Sequence, residues 1–233
     1  MSSIWNTQKS STNTKSVWGS IKQEPQQQVV NPNASTFETQ HVYKAMPIFT
    51  TILADHVEFN KYLKQVILEH RQKFPETTKS NVKAWHSSWT THVENPKFQP
   101  LVDKVVDACK FISAGYYECD SVDYHVLNMW AMMYEDTEWT KKHSHFPSDY
   151  AVAYYVDVEP GSAPVIFESV VKDGVNDNNQ PLTLQPQNGM LAIWPAILHH
   201  EVPPTKGRRM CISMNIDKGK RISPLDYNDT RFK

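Results

Sequence analysis

The chain has 233 residues, 39% apolar and 21% charged, enough for one domain with tails and too few for two of ordinary size. Lys and Arg number 24 against 25 Asp and Glu, a formal charge of −1, which argues against a nucleic-acid binder driven by electrostatics. No apolar run reaches the ~18 residues of a membrane span, and no apolar signal core opens the chain, so a soluble, cytoplasmic protein is expected. Cys109, Cys119 and Cys211 are an odd count without a CxxC pair, which points to core or half-buried thiols rather than a disulfide framework or structural zinc.

The mean hydropathy of −0.55 has an obvious source. Residues 1–36 are rich in Ser, Thr, Asn and Gln and nearly empty of aliphatics, so this arm cannot bury enough surface to fold alone. It holds two similar heptads, "SIWNTQK" from residue 3 and "SVWGSIK" from residue 16, both S-[IV]-W-x-x-x-K. They read either as chance similarity in a polar tail or as docking motifs for a protein partner or a second copy, anchored on Trp5 and Trp18. A single domain is expected over 37–233, helical over 37–120 and a β core over 121–220.

Helical spacing appears first in "ADHVEFNKYLKQVILEHRQKF", with Phe59, Leu63, Val66 and Ile67 on one stripe and Asp55 near the start. "QPLVDKVVDACKFISAGYY" repeats it through Leu101, Val105, Cys109 and Ile112. Between them "SNVKAWHSSWTTH" reads as extended or looped. After residue 120 come short strand-like runs at 124–135, 149–158, 163–169, 181–186, 189–195 and 208–217, separated by "EPGSAP", "KDGVNDNNQP" and "PQNG". Helices followed by many short strands predict an α+β fold with an antiparallel jelly roll as its body. There is no Gly-rich phosphate loop and no GxSxG.

Three places carry chemistry. His143 and His145 stand two apart, which on a strand puts both on one face. Of the adjacent His199 and His200, a strand points only one inward. Nine residues after His200, across "PPTKG", Arg209 opens a run in which Arg209, Cys211, Ser213 and Asn215 share one face, with Met210, Ile212 and Met214 on the other. Histidines that leave open positions on a metal, and an arginine fork for a carboxylate, suit a non-haem iron site with a keto-acid cosubstrate. His41, His56, His70, His92 and His125 read as surface or helix-face residues, and Trp85, Trp89, Trp130 and Trp194 as core or pocket packing.

Together, "NVKAWHSSW", "NMWAMMY", "HSHFPSDYAVAYYVD", "NGMLAIWPAILHHEV" and "RRMCISMN" resemble the Fe(II)/2-oxoglutarate-dependent dioxygenases. More narrowly they resemble the oxygenases of marine bacteria and their phages related to prolyl hydroxylases. The resemblance covers about residues 80–217. It implies a double-stranded β-helix (jelly roll, cupin-like) with N-terminal helices packed on it, and Fe(II) and 2-oxoglutarate as cofactors with ascorbate as a reductant. By it, His143 and His200 are metal ligands, Arg209 anchors 2-oxoglutarate, and Tyr155 and Ser213 assist there. The implied activity is hydroxylation of a small-molecule or protein substrate.

One position departs from the family pattern. Where His-x-Asp or His-x-Glu is usual, the chain has His145, either a third neutral ligand or a donor behind the ligands; Asp149 lies in or past the turn. The missing carboxylate and the Trp-bearing arm keep a second reading open, a structural or assembly protein on an oxygenase-like fold, for example a phage virion component.

Overall fold

The computed structural model describes residues 46–75, 81–168 and 181–219, all within one compact unit running from Met46 to Lys233. The arm with Trp5 and Trp18, most of the 170–181 loop and His41 lie outside the described residues. Eleven strands are present among them: β1 Phe49–Ile52, β2 Val82–Lys83, β3 Trp85–His86, β4 Tyr124–Tyr134, β5 Trp139–His143, β6 Tyr150–Val158, β7 Val165–Phe167, β8 Leu182–Leu184, β9 Met190–Pro195, β10 His200–Val202 and β11 Arg209–Lys218. Helices α1 His56–Lys73, α2 Thr91–Glu94 and α3 Gln99–Tyr116 precede the long strands. No described helix is long and apolar enough to cross a membrane.

The strands form two antiparallel sheets, one ordered β1-β9-β6-β11-β4-β3 and the other β2-β5-β10-β7-β8. Between them lies a core drawn from both, including Trp130, Met132, Tyr134, Tyr155, Phe167, Trp194 and Cys211. This is the double-stranded β-helix expected from the sequence. One difference lies before residue 120: that part, read as helical apart from an extended or looped stretch over 80–92, contains the strands β1, β2 and β3. Each has only two to four residues, too short for periodicity to register, and each adds to the edge of a longer strand, β9, β5 or β4.

Strands β6, β9 and β11 are buried on both faces, so hydrophobicity alone does not reveal which face is which. Alternation does. On β6, Ala151, Ala153 and Tyr155 join the inner core, while Tyr154 turns outward to the helices. Its ring lies 6.1 Å from that of Phe59, and its hydroxyl donates to Asn60 Oδ1 at 2.6 Å. Helix α1 buries Asn60, Leu63, Val66, Ile67 and His70, and α3 buries Leu101, Val102, Val105, Ala108, Cys109 and Ser113. Both are amphipathic stripes laid on the outer face of the larger sheet. Asp55, which looked like a start signal, makes no cap hydrogen bond. Its carboxylate instead meets Lys104 at 2.8 Å, tying α1 to α3. His70 and His92, read as surface or helix-face residues, are buried.

Gly189, which opens the "GMLAIWP" run, has φ +79, and a Cβ there would collide with the His56 ring. Its N–H donates to Tyr155 O at 2.8 Å and its carbonyl accepts from Leu53 N at 3.0 Å, so one glycine joins α1, β6 and β9. Gly189→Ala is expected to cost about 1–3 kcal/mol, read as a lower urea midpoint at unchanged slope. Burial among Phe74, Trp85 and Phe98 lowers the His70 pKa below 6.5. Its neutral form therefore contributes stability that is complete above pH 6.5 and is lost as pH falls below it. His70→Leu should lose less stability than wild type between pH 7.5 and 5.5 in urea unfolding.

Candidate metal and cosubstrate site

A cavity of about 240 Å³ opens between the two sheets, lined among others by His143, His145, His200, Trp130, Trp194, Tyr134, Tyr155, Arg209, Ser213 and Asn215. Every predicted site residue lines it. His143 closes β5 directly opposite His200 on β10, and their ring centroids are 4.4 Å apart. His199 is exposed, so the alternation of adjacent histidines holds. His145 reaches the site differently from expectation. It does not share a strand face with His143, because β5 ends at His143. A turn instead carries His145 inward: its N–H donates to Ala196 O at 2.8 Å and its carbonyl accepts from Ser148 N at 3.1 Å. Asp149 stays outside, accepting from Lys218 N at 2.8 Å.

The three imidazoles each present one ring nitrogen to a common point, these atoms lying within 4.8 Å of one another. Their other nitrogens meet oxygens: His143 Nδ1 is 2.8 Å from Lys141 O, His200 Nδ1 3.0 Å from Leu198 O and His145 Nδ1 2.5 Å from Asn215 Oδ1. An amide oxygen only accepts, so each Nδ1 carries the proton and each Nε2 keeps its lone pair. Burial disfavours the charged rings, lowering His143, bringing His145 down to about 4 and holding His200 well below its ordinary value. Neutral imidazole is the form that binds a metal.

Arg209 lies at the other end of the same inward row of β11. It is 2% exposed, its guanidinium is 4.5 Å from the Tyr134 ring and 5.9 Å from that of Tyr155, and Nη1 donates to Ala163 O at 3.0 Å. Its Nε has no partner in the protein, and none of the ion pairs among the described residues includes it. A buried, unpaired guanidinium costs several kcal/mol, which an anionic ligand would offset. The donor set therefore fits both groups: neutral nitrogens for a divalent metal, and a charged fork for a carboxylate.

Tyr134 escaped the sequence reading, and Trp130 was read there only as core or pocket packing. Tyr134 packs on Arg209 and shares a hydrogen bond with Thr140 Oγ1 at 2.6 Å, while burial pushes its phenol up to about 12. Trp130 stacks between His86 and His145, 5.6 Å from each. Asn215 was placed on the inward face but given no role. The alternation of β4 could have put Asn128, Trp130, Met132 and Tyr134 on one side; only the β4–β11 register pairs Tyr134 with Arg209 and Asn128 with Asn215.

Residues 128–215 match the family model described as "Putative 2OG-Fe(II) oxygenase". No curated protein sequence matches the chain. Among solved structures, a Pseudomonas putida prolyl-4-hydroxylase is similar at 11% identity and a TM-score of 0.54, covering 74% of this chain and 93% of that one. A Trichoplax adhaerens prolyl hydroxylase, solved with a hypoxia inducible factor peptide, aligns at 13% identity and TM-score 0.53, covering 74% and 83%. HygX from Streptomyces hygroscopicus, with nickel and 2-oxoglutarate bound, aligns at 8% identity and TM-score 0.53, covering 74% and 82%. At these identities the likeness is one of fold. The family match spans His143, His145, His200 and Arg209, and together with the shared fold it supports the Fe(II)/2-oxoglutarate-dependent dioxygenase superfamily.

Proposed function

We propose that this chain hydroxylates an unactivated C–H bond of a small-molecule or peptide substrate, with His143, His145 and His200 holding Fe(II) and Arg209 seating the distal carboxylate of 2-oxoglutarate. The observation that carries the reading is one pocket containing three neutral, converging imidazoles and a buried arginine with an unpartnered Nε. When bound, Fe(II) and 2-oxoglutarate supply the oxidation itself: one oxygen atom of O2 enters the substrate, the other enters succinate, and CO2 leaves. The protein's part is binding, orientation and dryness.

Arg209 offers Nε and Nη hydrogens to a carboxylate, with the Tyr134 and Tyr155 rings 4.5 and 5.9 Å from its guanidinium. Ser213 sits inward between Arg209 and Asn215 on β11, where its hydroxyl lines the path between the two ends. Trp194 crosses His200 edge-on with centroids 5.0 Å apart and, with Trp130, walls the metal end off from water. At the mouth, Trp89 is 41% and Phe146 72% exposed. Among the described lining residues Arg209 alone is permanently charged, and 2-oxoglutarate occupies it. The reacting part of the substrate is thus an uncharged group that meets aromatic rings. The assembly-protein alternative draws no support from the comparisons, and its motif residues lie outside those described.

Anaerobic titration of the protein with Fe(II) and then 2-oxoglutarate, followed by the visible charge-transfer absorption of the chelate, tests the reading. Wild type should give a saturable band. Arg209→Lys keeps the charge but loses the two-pronged fork, and should weaken 2-oxoglutarate about 10–100-fold with metal affinity unchanged. His200→Ala should lose metal and band together. A folded wild type without saturable 2-oxoglutarate binding overturns the reading.

A further inference from the structure

The His145 ring is held on more sides than a bystander needs. Asn215 Oδ1 accepts from Nδ1 at 2.5 Å, and Asn215 Nδ2 donates to Asn128 Oδ1 at 3.2 Å. That second bond completes the arrangement, with the Asn215 nitrogen turned to Asn128 and its oxygen to His145. Trp130 stacks on the ring with planes 19° apart, and His86 backs Trp130 with planes 9° apart. Asn215 and Asn128 face each other directly across the β11–β4 ladder, so both are placed by strand register rather than by a loop.

We propose that Asn215, oriented by Asn128, is a positioning residue that makes His145 a metal ligand. It keeps the proton on Nδ1 and aims the Nε2 lone pair at the point shared with His143 and His200. This rests on the oxygenase reading above and deepens it: the centre is built for three histidines, rather than being a two-histidine, one-carboxylate centre that has lost its acid.

The physical argument is one of donors and acceptors. An aspartate at position 145 would be shorter than histidine, and its carboxylate would meet Asn215 Oδ1, acceptor against acceptor, unless the Asn215 and Asn128 amides both turned over. It would also leave the face of Trp130 without the ring that stacks on it. A histidine there satisfies the amide oxygen, fills the slot beside Trp130 and contributes no charge. The bound metal and dianionic cosubstrate then sum to a neutral complex instead of a negative one.

The test uses Co(II) alone as the probe, with isothermal titration for affinity and visible d–d absorption for the ligand set, on the full chain. Wild type should bind one Co(II). Asn215→Leu removes the acceptor and should weaken binding about 10–100-fold with an altered d–d spectrum. Asn215→Asp restores an acceptor, since the Asn128 amide can turn to donate, and should return affinity to the wild-type level or above it. His145→Asp, although it restores the family's usual residue type, should bind at least tenfold more weakly than wild type. If Asn215→Leu fails to fold, the other two variants decide.

Wild-type affinity and spectrum in Asn215→Leu, or binding by His145→Asp as tight as wild type, would overturn the assignment while leaving an oxygenase site on His143 and His200. Failure of Asn215→Asp to recover affinity would also overturn it, because the role would then be packing. A wild type that binds no Co(II) removes both this inference and the reading beneath it.

Discussion

The alternation of β11 between its two neighbours is the constraint on which the rest depends. The strand is paired along its length with β4 on one side and β6 on the other, so it cannot slip without turning every side chain to the wrong face. Met210, Ile212, Met214 and Ile216 face outward and are buried. Arg209, Cys211, Ser213 and Asn215 face the cavity. One backbone register thus secures the outer core and, at the same time, places the Arg209 guanidinium at one end of the pocket and the Asn215 amide beside His145 at the other.

Burial does the chemical tuning. The same desolvation that would make protonated imidazoles expensive keeps all three neutral and available. At Arg209 it acts the other way, since a guanidinium stays charged when buried and is left needing an anion. On the proposed reading, the site holds groups whose interactions a metal and a carboxylate would complete. Such sites usually lower the stability of the free protein, and here the cost is carried by a core in which large aromatic and sulfur-bearing side chains from both sheets interlock.

The fold class and much of the site could be read from residues alone because their signals are local. Helical stripes in α1 and α3 repeat every three to four residues. His200 and Arg209 are joined by a short turn, and counting from Arg209 puts it with Cys211, Ser213 and Asn215 on one face of β11. His143 stands at the end of a strand whose partner is His200. His145 was expected on the same strand face; the strand stops before it, and it arrives by a turn whose hydrogen bonds to Ala196 and Ser148 are invisible to a period-two count. The short strands β1–β3 carry too few residues to show a pattern, and they exist because a neighbouring edge offers hydrogen bonds.

Residue order by itself determined the two long helices and the longer strands, the inward parity of β11, and the kinds of group at the site, imidazoles and a guanidinium. Those follow from local periodicity and side-chain chemistry, which need no knowledge of distant contacts. Tertiary structure alone decided that Tyr134 packs on Arg209, that Trp130 stacks on His145, and that Asn215 faces both Asn128 and His145. These contacts join residues as far apart as 128 and 215, and their pairing is set by strand register. Register is fixed by the packing of two whole sheets, so no short stretch of sequence contains it.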